Sequence, residues 1–249
     1  MDDELLLRYS RQIMLPDLDI AGQEKLQHSR VIIIGLGGLG SPAALYLAAS
    51  GVGSLVLNDF DDVDLSNLQR QIAHSQQHIG MNKAESAARQ IAAINSHTRV
   101  EILSDRLDAE TLTQALADVD VVLDCTDNFQ TRFMLNETAW KSGTPVVSGA
   151  AIGWEGHLSV FDPGGESSPC YRCLYQEGDD GALNCAENGV IAPLVGIIGT
   201  IQALEAIKLV TGIGECLVGR VMYFDAKYME WRSLKLKRRV DCPVCSPRG

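Results

Sequence analysis

The stretch Val31-Ile32-Ile33-Ile34-Gly35-Leu36-Gly37-Gly38-Leu39-Gly40-Ser41-Pro42 decides how this chain is read. Its first four residues are apolar and β-branched, the pattern of a strand buried on both faces of a parallel sheet. The next six carry the spacing G-x-G-x-x-G. Residues 43–49 are strong helix formers, and Pro42 suits an initial helical turn. Gly51 and Gly53 stop that helix, and Ser54-Leu55-Val56-Leu57-Asn58-Asp59 reads as the next strand. Strand, glycine turn, helix and strand thus precede an acid 24 positions after Gly35. In such a unit the turn formed by Gly35, Gly37, Gly38 and Gly40 lets backbone N–H groups approach a phosphate, and Asp59 accepts from ribose hydroxyls. NAD, FAD and ATP can all use this cradle.

The residues downstream favour ATP. Residues 59–71 are polar and acidic and then present Asn67 and Arg70, and Lys83 opens another helix. Hydride transfer has no use for an arginine and a lysine just after the ribose acid. A triphosphate attacked at its α-phosphate does, because its charge must be neutralised.

A length of 249 suits one large α/β domain, or one carrying an embedded module. Hydrophobic residues make up 46% and charged residues 21%, enough for a full core. The net charge of −11 argues against nucleic acid or an anionic membrane as the general partner. Met1-Asp2-Asp3-Glu4 is acidic and Leu5-Leu6-Leu7 is too short for a signal core, so a cytoplasmic protein is expected. The most apolar segment, residues 190–204, is read as a buried helix from about Pro193 to Val210, too short to span a membrane.

Residues 3–14 are expected to be helical, with Leu5, Leu6, Tyr9 and Ile13 on one face. Arg11, taken alone, is a solvated helix arginine. Helical spacing recurs over residues 83–95, residues 99–103 form a strand, and Asp108 caps a helix running to about Ala117. The strand of residues 119–124 ends in Cys125-Thr126-Asp127-Asn128, at the carboxyl edge where open α/β sheets place ligands. There Asp127 either holds Mg²⁺ against a triphosphate or caps the helix that starts near Phe129. Residues 145–148 form another strand, and residues 157–161 one with an exposed face, antiparallel to its neighbour. His74, His78, His97 and His157 have no ligand spacing and are given surface or turn roles.

Cys170-Tyr171-Arg172-Cys173 and Cys242-Pro243-Val244-Cys245 are two CxxC hooks. Four thiolates suit tetrahedral Zn²⁺, and an all-cysteine site leaves no open position, so the ion would be structural and would clip the tail to the body. Cys185 lies apart in a Gly- and Asp-rich loop, where a thiol either forms a covalent adduct or is incidental. Cys125 and Cys216 read as packing or surface residues.

Arg8-Tyr9-Ser10-Arg11-Gln12, the glycine turn, residues 65–71, residues 124–128 and the two hooks occur in this order. Together they resemble the MoeB/ThiF family of sulfur-carrier adenylyltransferases, relatives of ubiquitin-activating enzymes. The resemblance runs from Arg8 to Cys245. It implies one adenylation domain over residues 1–249: a Rossmann-like, largely parallel sheet whose nucleotide-binding part covers about 29–150. A carrier-binding, antiparallel and zinc-clipped part would cover about 151–249. It implies ATP-dependent adenylation of the C-terminal Gly-Gly carboxylate of a small ubiquitin-like sulfur carrier. Asp59 would bind ribose; Asn67, Arg70 and Lys83 the phosphates; Asp127 Mg²⁺. Arg11 would reach the nucleotide of a neighbouring subunit, which makes a homodimer. Cys185 matches the cysteine that bonds the activated carrier in the thiamine branch. Residues 148–152 with Glu155-Gly156 lean toward the molybdopterin-synthase carrier, and Trp231-Arg232-Ser233-Leu234 toward the thiamine carrier; the first is the expected substrate and the second the alternative. Sulfur would arrive from a separate donor, since the chain stops at Gly249 without the rhodanese extension of some relatives. Two other readings, a non-catalytic nucleotide-binding scaffold and an NAD-dependent oxidoreductase, leave parts of this set unused.

Overall fold

The computed structural model describes residues 1–165, 167–176 and 189–246. Cys185 lies outside them. The expected unit forms first: β1 (Arg30–Ile34), helix α4 (Gly40–Ala49) and β2 (Ser54–Asn58) follow one another across the glycine turn. Val31 to Ile34 are buried throughout, as a strand covered on both faces requires. Ahead of β1 lie α1 (Asp3–Arg8), α2 (Ser10–Ile13) and α3 (Asp19–His28). The single helix expected over residues 3–14 is therefore two. The break is at Tyr9, the only one of Leu5, Leu6, Tyr9 and Ile13 that is fully buried. Its hydroxyl accepts from Asn95 Nδ2 at 2.8 Å, and this tertiary contact overrides helical continuity.

The chain continues through α5 (Lys83–Ile94), β3 (Arg99–Leu103), α6 (Ala109–Ala115), β4 (Val121–Asp124) and α7 (Phe129–Ser142) to β5 (Val146–Ile152). Asp108 caps α6 in a capping box with Thr111, as its position predicts. β6 (Glu155–Phe161), the short α8 (Tyr171–Leu174), α9 (Ala192–Thr211), β7 (Arg220–Asp225) and β8 (Glu230–Lys235) complete the described elements.

All eight strands share one sheet in the order β3-β2-β1-β4-β5-β6-β7-β8. The first five are parallel and the last three antiparallel. This is the largely parallel α/β sheet with an antiparallel C-terminal part that the sequence implies. β6 pairs antiparallel with β5, but the exposed face expected over residues 157–161 is absent: Leu158, Ser159, Val160 and Phe161 are all buried. Helix α9 covers one side of β4, β5 and β6, and residues of α7 and α8 cover the other.

Helix α9 is the buried helix expected from about Pro193 to Val210, but it is not too short to span a membrane. At 20 residues with a mean hydropathy of 1.6 it is long and apolar enough to cross a membrane. Its place in the molecule is set by packing rather than by length. It buries Leu194, Val195, Ile198, Ala203 and Ala206 in the main core, and Gln202 and Glu205 are buried with them. Gln202 Nε2 donates to the Asp124 carbonyl at 2.8 Å and the Val147 carbonyl at 3.0 Å, which fixes the helix across β4 and β5.

Candidate active site

The strand order turns between β1 and β4, so their carboxyl ends diverge into helices on opposite faces and leave a crevice. A cavity of about 340 Å³ opens there. It is lined by Gly35, Gly37, Gly38, Asp59, Arg70, Lys83, Asp127 and Asn128, all predicted from the sequence. Gly40, Asn67 and Arg11 are not on its wall.

The glycine turn is dictated by close approach. Gly35 has φ +92°, and a side chain there would meet the Cys125 carbonyl oxygen at 2.8 Å. A Cβ at Gly40 would lie 1.9 Å from the Gly35 carbonyl oxygen, so Gly40 lets α4 start against the turn rather than touching a ligand itself. The amides of Gly37 and Gly38 take no acceptor among the described residues, which leaves them available to an anion at the start of α4. Asp59 braces the turn: its Oδ2 accepts from Leu36 N at 2.7 Å and its Oδ1 from Asp61 N at 2.9 Å. Burial raises its pKa, against the pull of these amides and Lys83.

Lys83, buried at the first turn of α5, donates to Asp61 Oδ2 at 2.9 Å. Arg70 is held only by the Ser66 carbonyl at 3.2 Å and pairs with no carboxylate among the described residues. Asn67 instead completes a capping box with Asp64, whose N–H donates to Asn67 Oδ1 at 3.1 Å. Arg11 is exposed on α2. The double role of Asp127 resolves by geometry: Asn128 caps α7, accepting from Thr131 N at 2.9 Å. Asp127 is left exposed on the cavity wall, without a hydrogen bond or ion pair among the described residues. One free carboxylate fits Mg²⁺, which keeps several waters and shares phosphate oxygens.

Sequence reading missed Arg106, Arg132 and Gln71, which also line the cavity. Arg106 lies beyond the carboxyl end of β3, its guanidinium 4.3 Å from the centre of the Phe60 ring; its strand-end position was the available signal. Arg132 is one turn into α7 and buried, donating to the Thr126 carbonyl and, at 2.8 Å, to the Gly149 carbonyl. Nothing local marks it, because its charge is balanced by Asp124 from another element, with Nη1 3.9 Å from Oδ2. With Arg106 and Arg132, four cations and three carboxylates (Asp59, Asp61, Asp127) ring the cavity of a chain whose net charge is −11. Asp124, paired with Arg132 behind the wall, brings the carboxylates to four, so the charges at the site balance within a chain that is otherwise acidic.

Two of His74, His78, His97 and His157 depart from the expected surface or turn roles. His74 is buried beside the glycine turn. His157 is enclosed by Tyr175, whose hydroxyl lies 3.1 Å from Nε2, and by the Tyr223 ring at 5.5 Å. Burial drives the Cys125 thiol well above its usual range, so it packs rather than reacts.

Cys170, Cys173, Cys242 and Cys245 meet as predicted, their sulfurs all within 4.8 Å of one another. The Cys170–Cys242 and Cys173–Cys245 separations are 3.5 and 3.4 Å. These are far longer than a disulfide bond of about 2.05 Å and close to the ~3.8 Å edge of a tetrahedron with ~2.3 Å arms. Arg239 N also donates to Cys173 Sγ at 3.4 Å. The four-cysteine cluster fits a zinc site.

The model of the ThiF family matches residues 9–244. The chain belongs to the ThiF family. Among curated relatives, the sulfur carrier protein ThiS adenylyltransferase of Escherichia coli is 49% identical, over 98% of this chain and 97% of that protein. The molybdopterin-synthase adenylyltransferase of the same organism is 47% identical, over 98% of both. A crystal structure of E. coli MccB with ATP superimposes with a TM-score of 0.84 at 25% identity, covering 96% of this chain and 74% of that one. ThiF-family membership rests on nearly the whole length.

Proposed function

We propose that this ThiF-family chain adenylates the C-terminal Gly-Gly carboxylate of a small ubiquitin-like sulfur carrier. The observation that carries the reading is the cavity at the sheet's turning point, whose wall brings Arg70, Lys83 and Asp127 together with the glycine turn. A carboxylate oxygen attacks the α-phosphorus of ATP, the bond from that phosphorus to the bridging oxygen breaks, and pyrophosphate leaves. The nucleophile is already ionised, so no general base is required. Rate then comes from alignment and from stabilising charge on the phosphates.

Asp59 and the amides of Gly37 and Gly38 hold the nucleotide; Arg70 and Lys83 neutralise the triphosphate. Asp127 would hold Mg²⁺, which adds positive charge at the phosphate oxygens. Asn128 belongs to the nucleotide wall, whereas Asn67 contributes by shaping the turn that carries Arg70. Arg11, exposed and off the cavity wall, serves the neighbouring subunit of a homodimer. Residues 151–249 dock the carrier and carry the Zn²⁺. Cys185 is retained as a candidate acceptor thiol for the activated carrier. On this reading the enzyme works in the cytoplasm with a separate sulfur donor.

The molybdopterin-synthase carrier is the proposed substrate and the thiamine carrier the alternative; identities of 47% and 49% favour neither. ATP–pyrophosphate exchange with each purified carrier tests both steps of the proposal. Exchange with one carrier names the substrate, and exchange with both identifies a shared activator. No exchange with either, from protein that retains zinc and binds ATP, would reject adenylation of these carriers in favour of a nucleotide-binding scaffold.

A further inference from the structure

His74 stands in a chain of hydrogen bonds that ends on the nucleotide cradle. Its Nε2 is 2.9 Å from the Leu36 carbonyl, inside the glycine turn. A carbonyl oxygen only accepts, so Nε2 carries the hydrogen. In the neutral ring Nδ1 is then an acceptor. It lies 2.9 Å from Ser86 Oγ, whose hydroxyl must therefore donate to it. Ser86 Oγ in turn lies 2.7 Å from His78 Nδ1 and accepts from it. One carbonyl thus fixes the direction of the whole relay, from half-buried His78 through fully buried Ser86 to His74.

Leu36 is held through both peptide units it joins, Gly35–Leu36 by its N–H and Leu36–Gly37 by its carbonyl. Its N–H donates to Asp59, and its carbonyl accepts from His74 and, at 3.2 Å, from Ser41 Oγ. Leu36 immediately precedes Gly37 and Gly38, whose amides have no protein acceptor among the described residues. The Leu36 carbonyl shares its peptide plane with the Gly37 N–H, so rotation of the Leu36–Gly37 peptide would swing that amide off a phosphate.

We infer that His74, oriented by Ser86 and His78, is a positioning residue for ATP: it locks the Leu36–Gly37 peptide so that the Gly37 amide faces the nucleotide, next to the Gly35–Leu36 peptide that Asp59 holds. The residue touches no substrate and acts before chemistry, in the binding of ATP. This inference rests on the adenylation reading only for its kinetic test.

Calorimetric titration of the full-length protein with Mg·ATP, without carrier, gives Kd; pyrophosphate exchange with carrier gives KM and kcat. His74→Leu is expected to raise both Kd and KM for ATP about tenfold, the size of one buried hydrogen bond, with kcat changed far less. His74→Gln, whose amide also donates, should recover most of the loss. Ser86→Ala removes the tautomer lock without touching the ring, and should raise Kd several-fold; it carries the same test if His74→Leu fails to fold. Unchanged Kd in Ser86→Ala and in folded His74→Leu would overturn the inference. So would a fall in kcat at constant KM, or a His74→Gln variant no better than His74→Leu. Absence of exchange in the unsubstituted protein would instead count against adenylation, leaving the Kd comparison intact.

Discussion

At the scale of single residues, the site separates side chains that await a ligand from those already satisfied. Arg70 has only a carbonyl partner, and Asp127 has none among the described residues. Both were legible in the sequence because each follows the end of a strand in the nucleotide unit. Arg70→Ala is expected to leave the melting temperature within a degree or two of the parent and to lower exchange by about 10²–10³-fold, as for loss of one oxyanion donor. Parent-like exchange in that variant would remove Arg70 from the phosphate site. His74 and Arg132 were not legible. Their partners are a carbonyl 38 positions earlier and carboxylate and carbonyl groups of β4 and β5, and no spacing encodes such distant pairings.

At the scale of elements, α7 ties the zinc hook to the cavity. Its amino end presents Asp127, Asn128 and Arg132 to the cavity. Farther along, Asn136 Oδ1 accepts from Tyr171 N at 2.8 Å, Phe133 stacks edge-on against the Tyr171 ring, and Trp140 packs on the cysteine cluster. Arg172 lies over the Phe133 ring at 3.9 Å and pairs with Glu137 at 3.2 Å. The hook residues between Cys170 and Cys173 therefore grip the same helix whose amino end adjoins Asp127. If the four cysteines hold one Zn²⁺, metal analysis should find it in the parent protein and not in Cys242→Ala. The substitution should also lower the melting temperature by about 10 °C, given ~2–4 °C per kcal/mol for a chain of this size. Weaker ATP binding should accompany that change as α7 loosens. Full zinc content in Cys242→Ala would refute the clip. The sequence disclosed the hooks through spacing alone, but their grip on α7 depends on packing across 35 positions of chain.

At the scale of the molecule, one sheet joins five parallel strands, at whose carboxyl ends the cavity opens, to three antiparallel ones. His157 sits on β6, among the antiparallel strands, and burial foremost, then the Arg132 charge, lowers its pKa to about 4. Its ordinary value is about 6.5. The folded state favours the neutral ring, so its contribution is complete above about pH 6.5 and is lost as pH falls toward about 4. Urea midpoints at pH 7 and 4.5 should differ less for His157→Asn than for the parent; an equal difference would show that His157 titrates normally. The proposed homodimer has its own test. Arg11→Ala and Arg70→Ala should each be inactive, yet mixed and reassorted subunits should regain about a quarter of parent activity, because half the dimers then hold one complete site. No recovery from a confirmed mixture would place Arg11 outside the neighbouring site.

The sequence by itself determined the βαβ nucleotide unit, the carboxyl-edge residues and the four-cysteine clip. Strand periodicity, glycine turns and CxxC spacing are short-range patterns, and short-range physics writes them directly into the chain. Only the tertiary structure decided that α1 breaks from α2 at Tyr9, that Asn128 rather than Asp127 caps α7, and that Asn67 closes a capping box beside the site. It also decided that α9, apolar enough for a membrane, lies across β4 and β5 through Gln202. In each of these cases the local sequence left more than one arrangement open. Burial and the need to satisfy polar groups far apart in sequence chose between them.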